Sequence, residues 1–266
     1  MSENHKKPIS VWSLASGSKA NCTLISSAAT SILIDFGVSC RCASKTLASL
    51  GLSLSSLDGV FITHEHSDHI SGLCTFFKSY DVPVHMTEPS HLAYIRGRGF
   101  EYRDKITVHP PVYQVTVGDL TVTSLPVPHD ASECVAYRIS DDSGNAVGIC
   151  TDTGEPSDAL LDFFTGCETV ITECNHDVIM LRCGIYPEDL KYRILSGVGH
   201  TSNDACASFS VELARRGVKN IILAHISPEN NTPELALHTV RTALTNAGCS
   251  VETLVCAPRD SLLRLI

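Results

Sequence analysis

The chain has 266 residues, is 43% hydrophobic and 18% charged, and carries a formal net charge of −9. That size suits a single globular domain over residues 1–266 with a sizeable core, and the acidity excludes broad wrapping of nucleic acid, which needs an extended basic face. The opening MSENHKKPIS has no apolar h-region and no later segment nears the roughly 18 uncharged apolar residues of a span, so a cytoplasmic protein with no membrane segment is expected.

In chain order, ISVWSLAS, CTLISS, TSILIDFG and GVFITH are short apolar or β-branched runs bounded by Gly, Ser and Asp, and read as strands. CASKTLASLGL predicts a short helix before the last of these, and SGLCTFFKSY another after it. Strand signals resume in KITVHPPVYQVTVGDLTVTSLPV, VAYRIS and AVGICTD. EPSDALLDFFTG reads as a helix with Pro156 near its start and Gly166 just past its end. TVITECN reads as a strand. TSNDACASFSVELARRG predicts a helix capped by Thr201, Ser202 or Asn203 and closed by Gly217. After the strand NIILAH, TPELALHTVRTALTNAG repeats that pattern with Thr232, Pro233 and Gly248. Two strand-rich halves with no linker between them predict two sheets packed together with helices outside.

Twelve cysteines without a secretory signal point to reduced thiols. Cys40 and Cys42 are too close for a usual zinc hairpin. Cys22, Cys74, Cys150, Cys174, Cys206 and Cys256 sit in apolar stretches and read as small core residues. RGRGFEYRDK and ARRGVK could form a local basic rim, the alternative being ordinary solvated charge.

The stretch THEHSDH, residues 63–69, packs three histidines and two acids behind a buried strand. His64 and His66, two apart, can point the same way on leaving the strand, while Asp68 and His69 come from a turn leading into a helix. Imidazole and carboxylate suit Zn²⁺, and a mixed N/O set also admits Mn²⁺ or Fe²⁺. Three further strand ends carry ligand types: His129 in SLPVPHDA, Asp152 in AVGICTDTG and His225 in NIILAHIS. Together they make a set that suits divalent metal.

This set, in this order, resembles the metallo-β-lactamase fold with its HxHxDH signature, an α/β architecture forming a four-layer αββα sandwich. The resemblance implies two divalent metal ions per chain, with His64, His66 and His129 on one, Asp68, His69 and His225 on the other, and Asp152 bridging both. LASGSKAN, ECNHDVIMLRCGIYPEDLKYRILSGVGHTSN and LAHISPENNTPELA look like the YycJ (WalJ) group of bacterial metallohydrolases, described as exonuclease-like. That group is expected to have Gly where this chain has Ala20, a departure that matters if the loop needs a left-handed residue there.

A metal pair lowers the pKa of a shared water and stabilises attacking and leaving oxygens at phosphorus, so Asp68 beside that water is a candidate to orient it or take its proton. Asp35 is a candidate to fix the ligand loop by hydrogen bonds. His200 resembles the histidine of tRNase Z enzymes thought to protonate the leaving oxygen, with Asp204 expected to hold it. His176, Ser18, Asn21, Asn230 and Asn231 are candidates for substrate contact. The expected activity is a phosphodiesterase or 5′→3′ exonuclease with nucleic acid as substrate, DNA before RNA. The alternative is a small-molecule hydrolase acting on a thioester, lactone or cyclic nucleotide, which the acidic charge favours.

Overall fold

Apolar residues alternating along short strands sort the interior into three layers. The computed structural model describes residues 9–98 and 103–266. Strands β1 (Ser10–Ala15), β2 (Cys22–Ser26) and β3 (Ser31–Ile34) lead to helix α1 (Cys40–Ala48), then β4 (Gly59–Phe61), α2 (Ser67–Ile70), α3 (Leu73–Ser79), β5 (Val84–Thr87), α4 (Glu88–Arg98) and β6 (Ile106–His109). There follow β7 (Gln114–Val117), β8 (Leu120–Val127), β9 (Cys134–Asp141), β10 (Ala146–Cys150), α5 (Asp158–Phe163), β11 (Thr169–Glu173), α6 (Val178–Cys183) and α7 (Glu188–Leu195). The chain closes with α8 (Asn203–Arg215), β12 (Asn220–Ala224), α9 (Pro233–Asn246), β13 (Thr253–Cys256) and β14 (Leu263–Arg264).

Among the described residues the strands form two sheets, ordered β14-β1-β2-β3-β4-β5-β6 and β13-β12-β11-β10-β9-β8-β7. In the first, β3 to β6 run parallel to one another; in the second, β10 to β13 do. Successive side chains on a strand face opposite ways. Ile32 and Ile34 therefore enter the layer between the sheets with Val147, Ile149, Ile171 and Ile222, while Leu33 faces the helices on one side and Val170, Ile221 and Leu223 face those on the other. Three apolar layers separate four layers of structure, the sandwich expected from the resemblance. No helix among the described residues is long and apolar enough to cross a membrane.

The long KITV…SLPV stretch does not stay in one sheet. β6 ends at His109 in the first sheet and β7 begins at Gln114 in the second. Pro110 and Pro111 lie between them; proline donates no ladder hydrogen bond, so the sheet ends there. Caps fall near the expected places, with the hydroxyls of Ser157, Ser202 and Thr232 accepting from Leu160, Ala205 and Leu235, and Gly166, Gly217 and Gly248 taking left-handed φ past the helix ends. All twelve cysteines are free, and Cys74 and Cys256 are only half-buried, unlike the other expected core thiols. Arg215, Arg216 and Lys219 pair with Glu212, Asp162 and Glu168 rather than forming a rim. Part of the other basic stretch, RGRGFEYRDK, lies outside the described residues.

A ladder of rings ties the sheets together beside the strand that feeds the histidine cluster. Phe61 stacks on His85 at 4.3 Å, His85 Nδ1 lies 2.9 Å from His109 Nε2, and His109 stacks on Tyr113 at 4.2 Å. Tyr113 donates to the Tyr137 hydroxyl at 2.9 Å, which donates to the Ile62 carbonyl at 2.7 Å. Burial first, then His109, lowers His85 from 6.5 to about 4. The unfolded chain takes that proton more readily, so the stability involved is present above the ordinary value and lost as pH falls toward the folded one. The melting temperature is expected to fall between about pH 7 and pH 4.5, and less in His85→Phe, which keeps the stack without the titration. Parallel melting curves for both proteins would refute this.

Candidate metal centre

The histidine cluster leaves β4 through Ile62 and Thr63, and its geometry is set by what lies beneath it. Asp35, at the end of β3, is buried and accepts from the Thr63 backbone N–H at 2.8 Å and its hydroxyl at 3.0 Å. Its other oxygen lies 2.8 Å from His69 Nδ1, which assigns the ring proton there and frees Nε2. The Thr63 hydroxyl, donating to Asp35, can accept from His64 Nδ1 at 3.0 Å, which frees His64 Nε2. His129 Nδ1 donates to the Gly199 carbonyl at 3.1 Å, and its Nε2 lies 3.3 Å from His66 Nδ1. These rings aim acceptor nitrogens toward one another, an arrangement that repels unless a cation lies between.

From the second sheet come Asp152 at the end of β10 and His225 at the end of β12. His225 is gripped on three sides: its N–H donates to Ser16 Oγ at 2.9 Å, its carbonyl accepts from Asn175 at 2.9 Å, and its Nδ1 donates to Glu173 at 2.8 Å. Asp35, Asp152 and His225 have φ of 61°, 59° and 55°, the only left-handed non-glycine residues among those described. Asp and His tolerate this region better than most residues, and all three sit at strand ends around one point. Such outliers cluster where function over-determines the backbone. Ala20 is not among them, so its departure from Gly leaves the loop unstrained.

Candidate ligand atoms fall into four overlapping groups, His64 with His66 and His129, Asp68 with His69 and His225, His64 with His69 and Asp152, and Asp152 with Glu173, His200 and His225, all within 4.8 Å in each group. Asp152 Oδ2 is 3.1 Å from His69 Nε2, and Oδ1 is 3.5 Å from His225 Nε2. Within this space His64 Nε2, Asp152 Oδ2 and His225 Nε2 are buried with no hydrogen bond. A buried polar atom without a partner is expensive, and convergent imidazole and carboxylate atoms fit a divalent cation.

Charges follow the same logic. Burial opposes ionisation of Asp68, but His225 and His69 hold its carboxyl well below the usual range. Burial likewise opposes a charge on His225, yet Asp152, Asp68 and Glu173 raise it to about 10. Burial, reinforced by His69, keeps His64 well below its ordinary value and therefore neutral. A metal entering this site displaces protons from the histidines that hold them.

The expected partner of His200 is wrong. Asp204 is exposed on the first turn of α8, and the carboxylate that takes His200 Nδ1, at 2.8 Å, is Glu173. Glu173 is fully buried; Oε1 serves His200 and His225, and Oε2 accepts from the Thr153 and Thr201 backbones at 3.1 and 3.0 Å. Burial would raise its pKa, but His200 and these bonds lower it to about 2. Burial opposes charge on His200 as well; Glu173 outweighs it and raises the imidazole above its ordinary value.

Other expected contacts also move. Asn21 is buried and pinned at both ends, accepting from the Gly17 N–H at 3.0 Å and placing Nδ2 3.1 Å from Asp68 Oδ2; it positions a ligand instead of facing substrate. Asn230 and Asn231 are 2% and 3% exposed, and Asn231 is consumed by Cys174, Asn175, Asn203 and Thr232, so neither offers a surface. His176 is 1% exposed and burial lowers it to about 4; it does not reach substrate. Ser18 does line a cleft of about 330 Å³ with His200 and Asn175. Glu173 and Thr63 went unnoticed in the sequence. A lone carboxylate closing the apolar run TVIT was the available signal for the first; nothing marked the second.

A family model, the β-lactamase superfamily domain, matches residues 30–226, the stretch that holds Asp35, Glu173, His200 and every ligand candidate. The chain belongs to the β-lactamase superfamily. It is similar to exodeoxyribonuclease YycJ of Bacillus anthracis, 35% identical over 238 residues covering 90% of each chain. It is also similar to exodeoxyribonuclease WalJ of Streptococcus pneumoniae, 34% identical over 242 residues covering 90% of this chain and 89% of the relative. Among solved structures, the metallo-β-lactamase fold protein YhfI from Bacillus subtilis superposes with a TM-score of 0.72 at 19% identity, covering 97% of this chain and all of that one. Zn(2+)-bound PqqB from Methylobacterium extorquens gives 0.70 at 16%, covering 96% and 99%. These two establish the superfamily fold alone.

Glu173→Gln keeps the shape but removes the charge that orients His225, and is expected to weaken metal affinity roughly 10–100-fold in competition with a chromogenic chelator. Asp204→Asn should leave affinity unchanged, and equal affinities for all three proteins would remove Glu173 from the centre. Gly37→Ala tests the loop packing, because a Cβ there would lie 1.6 Å from the Asp68 carbonyl oxygen. That variant is expected to melt earlier and lose metal; wild-type melting and loading would mean the loops are free to part.

Proposed function

We propose that this chain is a dinuclear metal-dependent phosphodiesterase that shortens nucleic acid from a 5′ end, with DNA as the preferred substrate. The observation that carries this reading is the His200–Glu173 pair. A histidine that is not among the seven ligands implied by the HxHxDH pattern lines the cleft with its charged form favoured, its Nδ1 committed to a carboxylate with every lone pair engaged. The exodeoxyribonuclease relatives support the same substrate class.

His64, His66 and His129 would hold one ion and Asp68, His69 and His225 the other, with Asp152 shared. When bound, such ions supply Lewis acidity to a phosphoryl oxygen and acidify water. The protein's part is positioning and protons. Asp68, ionised and steadied by Asn21, would orient the attacking water. His200, with Nδ1 committed to Glu173, has its Nε2 proton for the departing alkoxide. Thr201 and Thr153, whose backbones hold Glu173, keep that imidazole from turning.

Expelling a nucleotide alkoxide needs a proton, and a positioned acid is worth roughly 10²–10⁴-fold. An activated aryl phosphate expels a stable phenolate and needs little help. His200→Ala should therefore slow DNA cleavage by about 10²-fold or more, spare bis-aryl phosphate hydrolysis and leave metal content unchanged. Asp204→Asn should change nothing. Equal losses on both substrates would assign His200 to the metal centre or the fold. Rapid thioester turnover with no nuclease activity in Mn²⁺ or Zn²⁺ would hand the site to a small-molecule hydrolase.

A further inference from the structure

Nine large hydrophobic side chains are exposed among the described residues, and five of them, Ile179, Ile185, Tyr192, Leu195 and Val198, fall within residues 179–198. These residues belong to α6, α7 and the turns around them. Ile185 is 89% exposed and Tyr192 79%. Exposed apolar side chains scattered singly need no explanation, but their concentration in one segment points to a binding surface.

The same hairpin walls the cleft in front of His200. Tyr186, Leu190 and Arg193 line it. Arg193 is the only Lys or Arg among the lining residues, and its Nε donates to Asp130 Oδ2. The other oxygen of Asp130 lies 3.3 Å from His129 Nε2, so the guanidinium is tethered beside the candidate ligands. Its side chain is still 56% exposed, and a guanidinium has five N–H donors. A phosphodiester reaching His200 meets it, and the planar fork matches two phosphate oxygens.

Charge does not oppose the approach. Residues 177–198 hold Arg182, Lys191 and Arg193 against Asp177, Glu188 and Asp189, three positive and three negative. In a chain of net charge −9, this neutral face repels a polyanion less than the average surface does. Exposed Tyr192 offers a flat ring on which an unpaired base stacks without regard to sequence, and Ile185 adds apolar contact beside it.

We propose that the α6–α7 hairpin is the docking element for the unpaired end of a nucleic-acid strand. Arg193 takes a phosphate at the cleft, Tyr186 receives the base beside it, and Ile185 and Tyr192 carry the strand outward. This rests on the nuclease reading and names the part of the chain that recognises its substrate.

The test uses metal-loaded enzyme and 5′-labelled single-stranded oligonucleotides of two lengths. The variants are the double substitution Ile185→Ala/Tyr192→Ala and, separately, Arg193→Ala. The double variant is expected to raise KM for a long oligonucleotide about 10-fold while raising that for a dinucleotide less, because only the long strand reaches the outer face. Arg193→Ala should raise KM for both and flatten the salt dependence by about one contact. Metal content and melting temperature should stay at wild-type values in the double variant, which separates docking from folding. Unchanged KM for the long strand in the double variant overturns the proposal. So does a wild-type dimer that becomes monomeric in that variant with KM unmoved, which would make the hairpin a self-association surface. If the wild type cleaves no oligonucleotide in any metal, the nuclease reading itself fails and this inference goes with it.

Discussion

One buried carboxylate sets the terms for the centre. Glu173 is fully enclosed and ionised, and that is tolerable only because four donors converge on its two oxygens. Removing one partner from such a buried charge costs roughly 3–5 kcal/mol, so each donor is locked where it stands. Two of the donors are imidazoles with different duties. One turns its free nitrogen toward the candidate ligands, the other toward the cleft. The remaining two are backbone amides from the loops after β10 and before α8. A single side chain thus fixes a candidate ligand, a candidate acid and the spacing between them.

The first sheet carries a counterpart. Asp35 does for His69 and Thr63 what Glu173 does for His225 and His200. Each carboxylate ends a central strand; β11 has parallel neighbours on both sides and β3 on one, and these bring several chain ends to one edge. Ligands in open α/β sheets gather outside the carboxyl ends of strands for this reason. Left-handed φ at Asp35, Asp152 and His225 turns the chain sharply at that edge, so that side chains face inward across the gap between sheets. The strain is held by packing that continues into three apolar layers below.

Much of this was legible in the residues. His64, His66, Asp68 and His69 stand together in the chain, and His129, Asp152 and His225 each follow an apolar run, so period-two strands followed by a ligand type announced the cluster. The helices with Ser or Thr caps and trailing glycines were readable by the same local rules. What was not readable depended on tertiary contact. Asp204 looked right for His200 because it is four residues away, yet a helix start points it into solvent; Glu173 is 27 residues distant and reaches His200 only because β11 and the loop before α8 converge. Asn21, Asn230 and Asn231 read as candidates for substrate contact and are instead buried bracing. Helix α4 lacks a clear apolar stripe, and α6 and α7 leave apolar side chains in solvent, so pattern alone did not mark them.

The first and last strands of the described residues are joined. β14 pairs with β1, Leu263 opposite Ser13, and the His225 amide reaches Ser16 across 209 positions of sequence. During synthesis one edge of β1 therefore stays unpaired until β14 has emerged. Unpaired edges are sticky, and here the exposure lasts for most of translation. The histidine cluster at 63–69 emerges early, but the strands that complete its surroundings come near the end. Maturation of the centre is therefore a late event in the life of each chain, and a product cut short of residue 225 carries six of the seven candidate ligands but lacks His225 and the strands β13 and β14.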